Sequence, residues 1–127
     1  MSAESAVQAA LFQTIGTLGL TVHDVAPQRG AGGDLFVTVG EVVFAPLDTK
    51  DRNGFDFVAR IHVRAETGNM LPVKDAQGLI YRRLHHGDLT ITGYRLILLR
   101  REMSDVIREA QGQIHGVCEY RGLIEAI

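Results

Sequence analysis

The stretch Phe55–Ala65, FDFVARIHVRA, constrains this chain more than any other. Phe55, Phe57, Ala59, Ile61 and Val63 fall at every second position, and Asp56, Arg60, His62 and Arg64 alternate with them, with Val58 the exception. A period of two is the signature of a strand with one face on a core and the other toward solvent or a partner. Such one-sidedness belongs to antiparallel sheets, because a parallel strand between helices is apolar on both faces. The rest of the fold must therefore cover one side of a sheet.

Two segments supply the cover. In Ser5–Leu18, Val7, Leu11, Ile15 and Leu18 share one helical face, flanked by Ala10 and Phe12, and Ser2 or Ser5 can cap the start. Pro72–Gly87 has Pro72 in its first turn and an apolar stripe of Val73, Ala76, Ile80 and Leu84. Arg82, Arg83, His85 and His86 crowd its negative end, where cations are favoured, and Gly87 fits a left-handed cap.

The remaining strands are Leu35–Ala45, with a break or bulge expected at Gly40, a hairpin of Leu89–Thr92 turning at Gly93 into Tyr94–Met103, and a last strand in QIHGVCEYRGLIEAI. The element string α, β, β, α, β, β, β is not a strict alternation. It predicts an α+β fold: a mainly antiparallel sheet with two helices packed on one face. The chain's 127 residues predict one domain over 1–127 that buries roughly two thirds of its unfolded surface.

Several function classes drop out. A net charge of -2 argues against a strongly cationic nucleic-acid binder. The single cysteine, Cys118, cannot form an internal disulfide, which fits a reducing compartment. No run approaches the roughly 20 apolar residues needed to span a bilayer. The N-terminal stretch carries Glu4 and no basic residues, unlike a signal peptide, so the reading is a soluble, cytoplasmic protein.

Reactive chemistry is also missing from the pattern. The glycine-rich Ala26–Asp34 reads as a loop; a phosphate loop needs Lys and Ser or Thr after its last glycine, where this chain has Asp34. His85 and His86 point about 100° apart on a helix, whereas helical metal pairs sit three or four residues apart. They read as two cations answering a helix terminus. His23, His62 and His115 lack ligand spacing with Cys118, and no serine sits in a nucleophile elbow. No catalytic residue, metal ligand or cofactor site is assigned.

Two features invite a partner. The linker Pro46–Gly54 is too long for a tight hairpin and carries Asp48, Lys50, Asp51 and Arg52; it reads as a functional loop or as a solvated hairpin tip. Arg60, His62 and Arg64 line one strand face, and Arg95, Arg100, Arg101 and Arg121 lie on neighbouring strands. Paired, those strands would make a basic patch, solvated and balanced by acids or turned toward another subunit or passing nucleic acid. Free strand edges would be ready to pair with another chain.

The order of motifs resembles the tail-terminator, or tail-completion, family of long-tailed phages and gene transfer agents. The resemblance rests on ESAVQAALFQTI, on FVTVGEVVFAPLDTKDRNGFDFVARIHVRAE, on the joint LHHGDLTITGYRLILLRRE, with Leu84–His85, Leu89–Thr90, Gly93 and Leu96, and on His115–Gly116–Val117 in the last strand. It implies a non-enzymatic virion protein, assembled in the host cytoplasm. Six copies would form a ring that caps the tail tube, docks to the head connector or stopper, and passes DNA through its lumen without reading sequence. Asp48, Lys50, Asp51, Arg52, Arg60, Arg64, Arg100 and Arg101 are the candidate contact residues. Another head–tail connector, and a free-standing α+β module binding a small ligand or nucleic acid, are the alternatives.

Overall fold

The computed structural model describes residues 1–24, 35–66 and 68–127. The glycine-rich segment Ala26–Asp34, expected above to be a loop, lies outside the described residues. Helix α1 spans Ala3–Gly16; strand β1, Val22–His23; β2, Leu35–Pro46; β3, Gly54–Ala65; α2, Leu71–Leu84; β4, Tyr94–Arg108; and β5, Ile114–Ala126. The strands form one sheet in the order β1-β2-β3-β5-β4, antiparallel throughout except for the short β1–β2 pair. The α+β expectation holds.

The alternation read in the sequence sets the layers. Phe57, Ala59, Ile61 and Val63 are fully buried, and their β5 partners Gly122, Tyr120, Cys118 and Gly116 are buried with them. On this face Val7, Leu11 and Ile15 of α1 and Val73, Ala76 and Ile80 of α2 join them in a single core. Helix α1 starts where Ser2 accepts the Ser5 N–H at 3.1 Å, satisfying one of the free donors of the first turn. Glycine is required on β5 beneath this layer: a Cβ at Gly122 would sit 2.3 Å from the Phe57 ring, and one at Gly116 would sit 2.4 Å from the Gln77 amide.

Four details differ from the sequence reading. Strand β1 is only two residues long, too short to leave a periodic signal, and is added at the β2 margin. Leu89–Thr92 is not a strand. Leu89 and Ile91 do turn into the core, but only a single bridge joins Ile91 to Tyr94. Strand β4 runs on through Ser104–Arg108, past the Met103 end expected, although both sides of this stretch are largely exposed. The fourth concerns the α2 terminus: the left-handed residue is His86, at φ 55°, and not Gly87. Gly87 serves a close approach instead, since a Cβ there would lie 2.2 Å from the Arg83 carbonyl.

The bulge expected at Gly40 is present as a register shift between Val39 and Val42. A Cβ at Gly40 would lie 2.7 Å from the His62 ring, so this glycine lets the ring lie over the strand.

Candidate assembly interface

The face of the sheet opposite the helices is uncovered, and its arginines alternate with acids. Arg121 makes a two-pronged contact with Asp56 across β3 and β5, Arg95 pairs with Glu125, Arg60 lies 3.6 Å from Glu119, and Arg100 lies 3.3 Å from Glu102. The guanidinium of Arg121 holds the Asp56 carboxyl below its usual range. Exposed pairs of this kind contribute little to stability, so the face is a balanced mosaic more than a cationic patch. Arg64 makes no ion pair among the described residues.

Arg101 belongs to the other face. Adjacent strand residues point to opposite sides, and Arg101 lies over the Tyr81 ring of α2 at 4.2 Å. Of the predicted site residues, the structure thus brings Arg60, Arg64 and Arg100 onto one surface and separates Arg101 from them.

Arg64 sits beside a row of four groups. Glu109, in the β4–β5 connection, accepts from His115 Nδ1 at 2.8 Å, and His115 Nε2 lies 2.8 Å from His62 Nδ1. Glu41 lies 3.8 Å from His62 Nε2. A carboxylate only accepts, so the neutral His115 carries its proton on Nδ1, and Nε2 is left to accept from His62. Burial, together with the Arg64 charge, pushes both imidazoles below their ordinary pKa, and Glu109 and Glu41 offset this only in part. The row ties the Gly40 bulge to the far end of the sheet.

The loop after β2 is a continued hairpin, contrary to the expectation that it is too long for a tight one. Leu47 donates to the Gly54 carbonyl and Thr49 to the Arg52 carbonyl, leaving Lys50 and Asp51 as a two-residue tip. Asp48 accepts from the Gly54 N–H and Arg52 donates to the Ala126 carbonyl at 3.4 Å, so both of these charges shape the loop. Lys50 and Asp51 alone point outward without such partners among the described residues.

The margins of the sheet are partly sealed by the chain itself. On β4, His86 donates to the outward Leu99 carbonyl at 2.8 Å, and the Arg101 N–H donates to His85 Nδ1 at 3.0 Å. The two histidines are therefore a seal between helix and edge strand. His85, stacked on Tyr81, is an acceptor and not the cation expected; desolvation and the neighbouring His86 and Arg101 charges hold it below its ordinary pKa. On β2, the Val37 N–H goes to the Thr21 carbonyl and the Val39 carbonyl takes the Gln8 amide at 3.3 Å. The sequence reading does not single out Gln8 or Gln77; Gln77 donates to the Asp105 carbonyl of β4 at 3.2 Å, and a polar residue four positions after Val73 in the apolar stripe is its signal.

No cluster of three or more His, Cys, Asp or Glu side chains among the described residues could hold a metal. Lys74, Gln77, Arg101 and Asp105 line an open groove beside β4. The fold itself is one already seen in a particle. The chain superposes on a chain from the "Virion of native gene transfer agent (GTA) particle" with a TM-score of 0.85 at 22% identity, over 98% of both chains. No curated protein matches. The description "Tail completion protein gp17" matches residues 2–125.

The chain belongs to the tail completion protein gp17 family. Membership covers the whole sheet and both helices, and it makes the protein a structural component of a phage or phage-like particle.

Proposed function

We propose that this tail completion protein forms a ring on the end of the tail tube, most simply of six copies, that stops the tube and joins it to the head connector while DNA passes through the lumen. The observation that carries the reading is the family match over residues 2–125, spanning the entire fold. The uncovered sheet face and the exposed Lys50–Asp51 tip supply surfaces of the kind such a joint needs. The mechanism is geometric: identical copies repeat one heterologous contact until it closes, leaving two unlike faces for tube and head. No step requires a reacting group.

Electron microscopy of particles made without this chain tests the proposal. Separate heads and tails, with tubes of uneven length, are expected. Normally joined particles in its absence would refute it.

A further inference from the structure

The hydrogen-bonding groups left over at the sheet margins point to how the copies meet. On β2, Val37 and Val39 direct their backbone groups outward, and both are used within the chain. Past the bulge, Val42 and Phe44 pair with Ala59 and Phe57, which continue the alternation of Val63 and Ile61 on β3. Val42 and Phe44 therefore also face outward, and among the described residues nothing takes their N–H and C=O groups. On β4, the outward positions after Leu99 and Arg101 are Ser104, Val106 and Arg108, by their β5 partners Cys118, Gly116 and Ile114. Of these, only the Val106 N–H is occupied by a neighbour's side chain, the Asp105 carboxylate at 2.8 Å.

The two unsealed stretches lie at diagonally opposite corners of one sheet and run antiparallel to each other. Each also leaves apolar side chains in water on the uncovered face: Val43 is 67% exposed on β2, and Met103 and Ile107 are 37% and 47% exposed on β4. Unpaired edges of this kind are normally blunted, as the sealed halves here are.

We infer that the β2 corner of one copy pairs with the β4 corner of the next, Val42 opposite Val106 and Phe44 opposite Ser104, so that the sheets of successive subunits become one. The inference rests on the ring reading above and specifies its contact. In this register Phe44 and Ser104 exchange hydrogen bonds, Val42 and Val106 do so once the Val42 carbonyl replaces the Asp105 carboxylate on the Val106 N–H, and Val43 packs between Met103 and Ile107 of the neighbouring copy. Strand β4 ends at Arg108, level with Gly40, so it stops before the position where β1 pairs with Val37 and Thr38.

The stagger fits a closed ring. Within a chain, Phe44 shares a row with Phe57, Gly122 and Leu99. Pairing it with Ser104, the partner of Cys118, moves the next copy along the strands by the spacing from Gly122 to Cys118. At about 3.4 Å per residue that is about 14 Å, against about 19 Å across β2, β3, β5 and β4 at about 4.8 Å per strand. The ratio corresponds to a strand tilt of about 35°, within the range of roughly 35–45° that closed β-barrels adopt. An unstaggered contact would leave the strands parallel to the ring axis.

Disulfide trapping tests the inference. Val43→Cys and Asp105→Cys would face each other between copies at a non-hydrogen-bonded pair, while in one chain they occupy different corners; native Cys118 is buried. Oxidised particles carrying the double variant should give a ladder of covalent multimers. A mixture of the two single variants should give dimers and nothing larger. Ala45→Cys with Met103→Cys probes the same register should the first pair not fold. Dimers from either single variant alone would mean a two-fold contact and overturn the inference, as would a crosslink to another particle protein. Multimers by native mass spectrometry without any ladder would overturn the edge pairing and leave the ring standing. A chain that neither self-associates nor enters particles would overturn both.

Discussion

Replacing Gly122 with alanine should destabilise the fold for a purely steric reason. The backbone there is extended and accepts any residue, and alanine in place of strand glycine would otherwise help slightly. The obstacle is the Phe57 ring, whose atoms lie 2.3 and 2.4 Å from the new Cβ. Phe57 is fully buried, with the Phe44 ring centre 5.6 Å away, so its ring has little room to yield. Inserting a methyl group into such a core costs about 1–3 kcal/mol. For a chain of this size that lowers the melting temperature by about 4–11 °C. Urea unfolding of Gly122→Ala, Phe57→Leu and the double variant isolates the clash. Leucine in place of the ring gives the methyl space, so the double variant should lose at least about 1 kcal/mol less than the sum of the singles. Strict additivity would refute the steric account.

Stability should also depend on pH through His62 and His115. Both have folded pKa values below their unfolded value near 6.5, so the unfolded chain takes up protons first. Unfolding free energy is expected to hold steady above that pH and to fall as pH drops below it; His62→Gln with His115→Gln should flatten that part of the curve, and an unchanged slope would contradict the assignment. Lys50→Glu should leave the melting temperature unchanged, because the Lys50 side chain has no hydrogen-bond or ion-pair partner among the described residues, yet reduce the fraction of joined particles counted by electron microscopy. Reversal at Arg52 is a poorer probe, because Arg52 also holds the Ala126 carbonyl.

Much of this was legible in the sequence. The alternation in Phe55–Ala65 gave the covered and uncovered faces, and the stripes at Val7–Ile15 and Val73–Leu84 gave the cover, because burial on one side imposes a period on both element types. Edges were harder to read. Ser104–Arg108 forms a strand on pairing supplied by β5, without burial enough to leave an alternating pattern, and β1 is too short for any period. The left-handed cap fell on His86 because Gly87 was needed for its missing side chain against Arg83. That Arg100 and Arg101 cannot share a face follows from alternation alone. Which arginines would find acids, and which histidine would seal a strand margin, depends on registers between distant strands that no local pattern encodes.

Cryo-electron microscopy of the intact particle would place the chain and its contacts. This fold should repeat around the tail axis at the end of the tube, with the β4 corner of each copy continuing the β2 corner of the next. Density showing the chain elsewhere in the particle, or single copies with both corners facing solvent, would contradict it.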